Sequence, residues 1–398
     1  MPGLAAALAV LAALLLLAGC SPYQEYYRQR QHAAAKGKGP VRIAVVASSN
    51  LPNLTSQGAE LAAELVNRRG GVLGGRRLEL IQLDDEGSLQ RGEKLARRLA
   101  RDTGVVAVIG HTYSEVAIPC SIIYGTTGLL FMSTGASDPE LTLIPNPFAF
   151  RNVPRDDLVA REIANLARKL GYKRMAVLFE RSLYSVFYGL SLSQAFAAAA
   201  MDAGLEVAHV RSYFPWQEDA RHIIMQLRQN PFDAMLLVGY LPQAARIIRQ
   251  TRGLGIKGGI IGPDSLDNAT LLTEAQESAE GVVVTSFFRP DLDRPQTRDF
   301  VAAFRAAYGQ APDDNAATAF DAINLLVAAM AKCGSSVPLE MAQALIYLDP
   351  MPGAASDYAF NEDGDVVDRL LWFKKVKGGQ FHFLPDEYQP RSRASLGR

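Results

Sequence analysis

"VVAVIGHTYSEV" (105–116) and "LLFMSTGASDPEL" (129–141) decide how this chain folds. Each opens with a short apolar run and passes into glycine, small residues and hydroxyls. Such runs read as strands buried on both faces, the kind a parallel sheet contains. Between them "SEVAIPCSIIYGTTG" (114–128) reads as a helix. Upstream the alternation continues. "VRIAVVA" (41–47) is a strand, and "SQGAELAAELVNRRGG" (56–71) a helix closed by a glycine pair. "RRLELIQLDD" (76–85) is a strand and "SLQRGEKLARRLARDTG" (88–104) a helix. Strands alternating with helices imply a parallel sheet covered on both sides.

The plan restarts after "FAFRNVPRDD" (148–157). Strands are expected at 174–180, 206–213, 234–240, 258–263 and 281–288, and helices at 155–170, 186–203, 217–229 and 242–252. Helices at 294–308 and 315–333 and a terminal strand pair in "LLWFKKVKGGQFHFL" (370–384) follow. The chain is therefore expected to be α/β with two units of similar plan. "GLGIKG" (253–258) matches a dinucleotide fingerprint by letters, but it follows a helix and precedes a strand, the reverse of what that motif needs. It reads as a helix stop, as does "GGVLGG" (70–75). Walker A, G-x-S-x-G and H-E-x-x-H patterns are absent from the sequence.

The 398 residues carry 41 basic and 41 acidic side chains, so the charge gives no footprint for nucleic acid. The five histidines are scattered and no C-x-x-C occurs, so no metal or cofactor is expected. The N-terminus is apolar from Leu4 to Leu17, shorter than the ~20 residues of a membrane helix. Residues 1–20 read as a secretory signal, and "LAGC" (17–20) resembles the bacterial lipobox, in which Cys20 becomes lipidated. Ser21 resembles the pattern sorted to an outer membrane. Residues 21–40 lack apolar periodicity and are expected to be a flexible tether reaching roughly 25 Å. Cys120 and Cys333 are expected to be small buried residues, with a disulfide left open.

In open α/β sheets ligands bind beyond the carboxyl ends of the strands. In the first unit those positions are rich in hydroxyls, among them Ser114 and Ser137, with helices starting at Ser114 and near Asp138-Pro139. Helix N-termini favour anions. In the second unit they hold Tyr184, Tyr240 and Asp264. Facing each other, the two sets suit a ligand with an anionic end, a cationic end and an apolar body, of which a free amino acid is the simplest. Ser114 can also serve as a helix cap, Asp138 reads as the cap of "SDPEL", Asp264 can be a turn residue, and His111 reads as a hydrogen-bonded structural residue.

"VIGHTYSEVAIPCSIIYGTTGLLFMSTGASDPELT" (108–142), with "NRRGG", "DDEGS", "VGYLPQAARIIRQTRGLG", "GPDSLDN" and "AEGVVVTS" in order, resembles the leucine/isoleucine/valine-binding proteins. These are the substrate-binding lipoproteins of ABC importers, with a two-lobed type I periplasmic-binding-protein fold and the ligand in the cleft between lobes. The resemblance implies that Ser114, Ala136 and Ser137 hold the amino-acid backbone, that Asp264 pairs with its ammonium, and that Tyr184 and Tyr240 close over it. It implies more weakly an aromatic contact at Phe320. It also implies an ABC permease as partner, a lipid-anchored place at the cell envelope and no catalysis. Lobe one is expected over 41–151 plus 284–354, and lobe two over 152–283 plus 355–390. The family's threonine is Ser137 here and its glutamate is Asp264. The loop "SSNLPNLTSQG" (48–58) is shorter than in the family. A sensory or regulatory envelope lipoprotein with the same fold is the alternative, and an exported hydrolase a second.

Overall fold

A computed structural model describes residues 22–50, 52–181 and 187–390, without the side chains of Phe187 and Tyr188. The signal segment, Cys20 and Tyr184 lie outside the described residues.

The alternation seen in the sequence becomes two sheets. β1 (Val41–Ala47), β2 (Leu78–Asp84), β3 (Val105–Gly110), β4 (Leu130–Ser133) and β5 (Ala149–Arg151) form the first. Its order is β2-β1-β3-β4-β5, parallel throughout. The second begins with β6 (Arg174–Glu180), β7 (Glu206–Tyr213), β8 (Ala234–Val238), β9 (Gly259–Gly262) and β10 (Val283–Ser286). After a small ribbon of β11 (Met351–Pro352) and β12 (Asp357–Tyr358), β13 (Trp372–Lys377) and β14 (Gln380–Phe383) complete it. The order is β14-β13-β10-β9-β8-β6-β7, with only β13 and β14 antiparallel to their neighbours. β3, β4 and β8 are buried along their whole length, as expected of strands with helices on both faces. Separate apolar cores fill the two faces of each sheet.

The fold is the two-lobed α/β arrangement the sequence implies. Helices Pro295–Tyr308, Asp314–Cys333 and Pro338–Ile346 return to the first lobe. Gly58 allows Asp314–Cys333 to lie against Thr55–Arg68, since a Cβ there would sit 2.1 Å from the Ala316 carbonyl. Beyond residue 354 the chain stays with lobe one: Tyr358, Phe360 and Val366 belong to its core, and the second sheet is rejoined only at Trp372.

Three segments thus cross between lobes, near Asn152, Phe287 and Leu370. Arg369 joins them. Its buried guanidinium donates to the carbonyls of Asn152 (3.0 Å), Phe287 (3.0 Å), Leu370 (3.1 Å) and Ala355 (3.3 Å). The ring of Tyr358 lies under it at 5.4 Å.

The expected flexible tether is corrected. Pro22–Ala35 is a helix docked on lobe one. Its polar surface hid this, because it docks through one cation rather than an apolar stripe. Arg30 is fully buried and donates to the carbonyls of Val105, Thr127, Leu99, Ala100 and Asp102. Burial lowers its pKa to about 10, so it stays charged at neutral pH. Gln31 donates to the Gly128 carbonyl, and Tyr27 packs edge-on against Phe148. Hydrogen bonds to a charged group contribute about 1.5–3 kcal/mol. Arg30→Ala is therefore expected to lower denaturant-measured stability by about 2 kcal/mol and to open residues 22–40 to limited proteolysis. Unchanged resistance to both would show that Arg30 does not hold this helix in place.

Candidate functional site

A cavity of about 90 Å³ lies between the lobes, at the carboxyl ends of the strands. On the lobe-one wall its shape starts at Gly110, whose φ of +122° and close approach to the Val46 carbonyl (2.0 Å for a Cβ) admit no side chain. The next residue, His111, is fully buried between Asp85 and Tyr124, 2.8 Å from each, and Asp85 accepts from Ser48. This matches the structural role expected of His111 and fixes the turn that delivers Thr112, Tyr113 and Ser114 to the cavity. Ser114 is not a cap: Tyr113 occupies that position, and Ser114 is the first helical residue. Its hydroxyl accepts from the Asp138 amide at 3.3 Å, tying the third-strand turn to the fourth. Asp138 accepts from the Glu140 amide (2.9 Å), but the cap position of the short helix Glu140–Leu143 falls on Pro139, one residue later than expected.

The structure brings Ser114, Ser137, Tyr240 and Asp264 to this one cavity. Ala136 is not on its surface. Its amide donates to Ser133 Oγ (2.9 Å), its carbonyl accepts from Arg151 (3.3 Å), and its methyl packs in the core. Gly135 lines the cavity in its place. Phe320 packs on Phe300 at 4.6 Å and does not line the cavity. Cys120 and Cys333 are free thiols, Cys120 buried and Cys333 half-buried.

The cleft is closed. Tyr240 meets Tyr113 edge-to-face at 4.7 Å, and its hydroxyl donates to Glu115 (3.2 Å). Asn268 reaches across to the Pro52 carbonyl at 2.8 Å.

The interior is acidic. Burial drives the Asp264 carboxyl well above its ordinary value, and Asp156, Asp314 and Asp267 nearby add to the shift. Burial raises Asp314 to about 7 against the pull of Lys374, and raises Asp156 to about 7 against Ser137 beside it. Asp267 is held by Lys374 at 2.6 Å. Reading by strand ends missed Asp267, Asp314, Asn315 and Phe287, all of which line the cavity. One signal was present: "PDDN" (312–315) offers two acids before a helix, and a helix takes one cap. Asp313 caps through the Ala316 amide (2.7 Å), which leaves Asp314 for the cleft.

A family model described as periplasmic binding protein matches residues 47–380. The chain belongs to that family. Among periplasmic binding proteins, it is similar to the Leucine-specific-binding protein of Salmonella typhimurium, 26% identical over 86% of this chain and 89% of that one. An ABC transporter substrate-binding protein from Desulfitobacterium hafniense, solved in complex with Leu, is 31% identical with a TM-score of 0.77, covering 87% of this chain and all (100%) of that one. Leucine binding protein LivK from Thermotoga maritima is 25% identical with a TM-score of 0.80, over 87% of this chain and 98% of its own. The fold is therefore that of the type I periplasmic binding proteins.

The raised carboxyls make a pH prediction for this family member. Asp156, Asp314 and Glu180 stand at about 7 in the folded state, well above ordinary carboxyl values. Between pH ~4 and ~7 the folded chain then holds more protons than the unfolded one, so stability falls as pH rises. The ligand-free protein is expected to melt at a lower temperature at pH 8 than at pH 6. A higher melting temperature at pH 8 would mean these carboxyls ionise normally.

Proposed function

We propose that this chain is an extracytoplasmic solute-binding lipoprotein. It captures a small amino acid between its lobes and delivers it to an ABC importer through the permease subunits. The observation that carries this is the split of chemistry across one cavity: two serine hydroxyls on one wall, Ser114 at the start of a helix, and a buried acid on the other. Ser114 and Ser137 take the carboxylate, aided by N–H groups of the helix starting at Ser114. Asp264 takes the ammonium, whose charge replaces the proton that burial favours on the acid. Tyr240 forms the lid, and Tyr184 is assigned to the same lid by the resemblance. The names of the relatives, which bind leucine or its neighbours, support an amino acid as cargo. Lipidation of Cys20 would hold the protein at the extracytoplasmic face of a membrane.

Closure brings the two half-sites together, so ligand that contacts both favours the closed form. No bond is made or broken in this cycle.

A thermal-shift panel of amino acids on the purified protein tests the reading. A ligand at 100 times its dissociation constant adds ~2.7 kcal/mol to stability. Stabilisation by none of them would refute amino-acid capture. With the amino acid giving the largest shift, Asp264→Ala is expected to lose ~3–5 kcal/mol of binding by calorimetry, because a buried ammonium is left unpaired. Unchanged affinity would remove Asp264 from the site.

A further inference from the structure

The cavity is lined by side chains of a particular kind. Among the described residues its apolar side chains are Pro52, Phe287 and the rings of Tyr113 and Tyr240. No leucine, isoleucine, valine, methionine or alanine is among the described residues that line it. The rest are hydroxyls, amides, carboxylates and one glycine.

Several of these polar groups are already engaged. Asn53 donates to the Ser48 carbonyl (2.6 Å), and Asn268 caps a helix while donating to Pro52. Asp267 pairs with Lys374, and Asp314 accepts from the Phe287 amide at 2.7 Å. Once Ser114, Ser137 and Asp264 are assigned to the amino-acid backbone, the side chains of Asn315, Thr112 and Thr134 remain. Among the described residues none of the three has a side-chain hydrogen bond, and all face the cavity.

We infer that the cargo is an amino acid whose side chain donates hydrogen bonds (amide, hydroxyl or amine), and that Asn315 reads that side chain. This rests on the proposed amino-acid reading and narrows it. An aliphatic side chain would strip water from Asn315 and Thr134 without replacing it, and each buried polar group so stranded costs affinity. Among the described residues its apolar partners would be Pro52, Phe287 and the rings of Tyr113 and Tyr240. An acidic side chain finds no countercharge among the described residues: the carboxyls of Asp264, Asp267 and Asp314 line the cavity, and the cation beside them, Lys374, is already bound to Asp267. A site built to bond a substrate hydroxyl or amide rejects analogues lacking it far more strongly than an apolar pocket rejects a missing methylene.

The test is calorimetry on ligand-stripped protein with asparagine, threonine and ornithine against leucine, valine and glutamate. One of the first three is expected to bind ~100-fold or more tightly than any of the others. Asn315→Leu is expected to weaken that amino acid at least ~10-fold and to strengthen leucine, with the melting temperature of the unliganded protein unchanged. Leucine or valine binding tightest to the parent would overturn the inference and leave amino-acid capture standing. Absence of binding by any amino acid would overturn both.

Discussion

Three crossings between two sheets bring bare carbonyls into one small volume, where their lone pairs repel and water has little access. Arg369 resolves this by donating to the first, second and third crossing at once. Because a guanidinium offers five donors in one plane, it can fix three strands relative to one another without an apolar core between the lobes. The pivot is thereby held, and across the mouth the lobes meet through contacts that include a tyrosine pair, the Tyr240–Glu115 bond and the Asn268–Pro52 bond. In a two-lobed receptor strong bonds belong at the pivot, and weak ones across the mouth, so that the ligand's own contacts decide between open and closed.

The electrostatics of the mouth point the same way. Closing the lobes without a cation buries Asp264 near Asp156 and Asp314, and the carboxyls respond by holding protons. A cationic group arriving in the cleft removes that penalty. The acids therefore couple occupancy to closure. Lys374, from the terminal hairpin, partly neutralises Asp314 at 4.0 Å but spends its short contact on Asp267. Asp264 has no such partner among the described residues, which is why the proposed reading gives it the ligand's cationic end.

Much of this was legible in the sequence because it rests on period and order. Buried parallel strands announce themselves as apolar runs, and the residues after them fall at the mouth by topology. That logic found Ser114, Ser137, Tyr240 and Asp264. It failed where position depends on tertiary detail. Ala136 and Gly135 are neighbours, and only the local turn decides which faces the ligand. Asp314 and Asn315 sit at the start of a helix that reads as scaffold, and their arrival at the cleft depends on where the chain crosses after β10. The docked N-terminal helix was invisible for another reason. Among its residues only Arg30 and Ala34 are buried, so no periodic stripe marks it, and one arginine in a polar segment looks like a solvated charge.

That helix also changes what the N-terminus does. A flexible segment would let the receptor sample every orientation around its anchor. Arg30 meets carbonyls at the start of β3 and at the end of the helix Leu89–Arg101, the edge of lobe one opposite the cleft. The docked helix begins at Pro22, two residues after Cys20, where the lipid is proposed. Docking thus ties the N-terminal segment to lobe one through one buried cation far from the cleft.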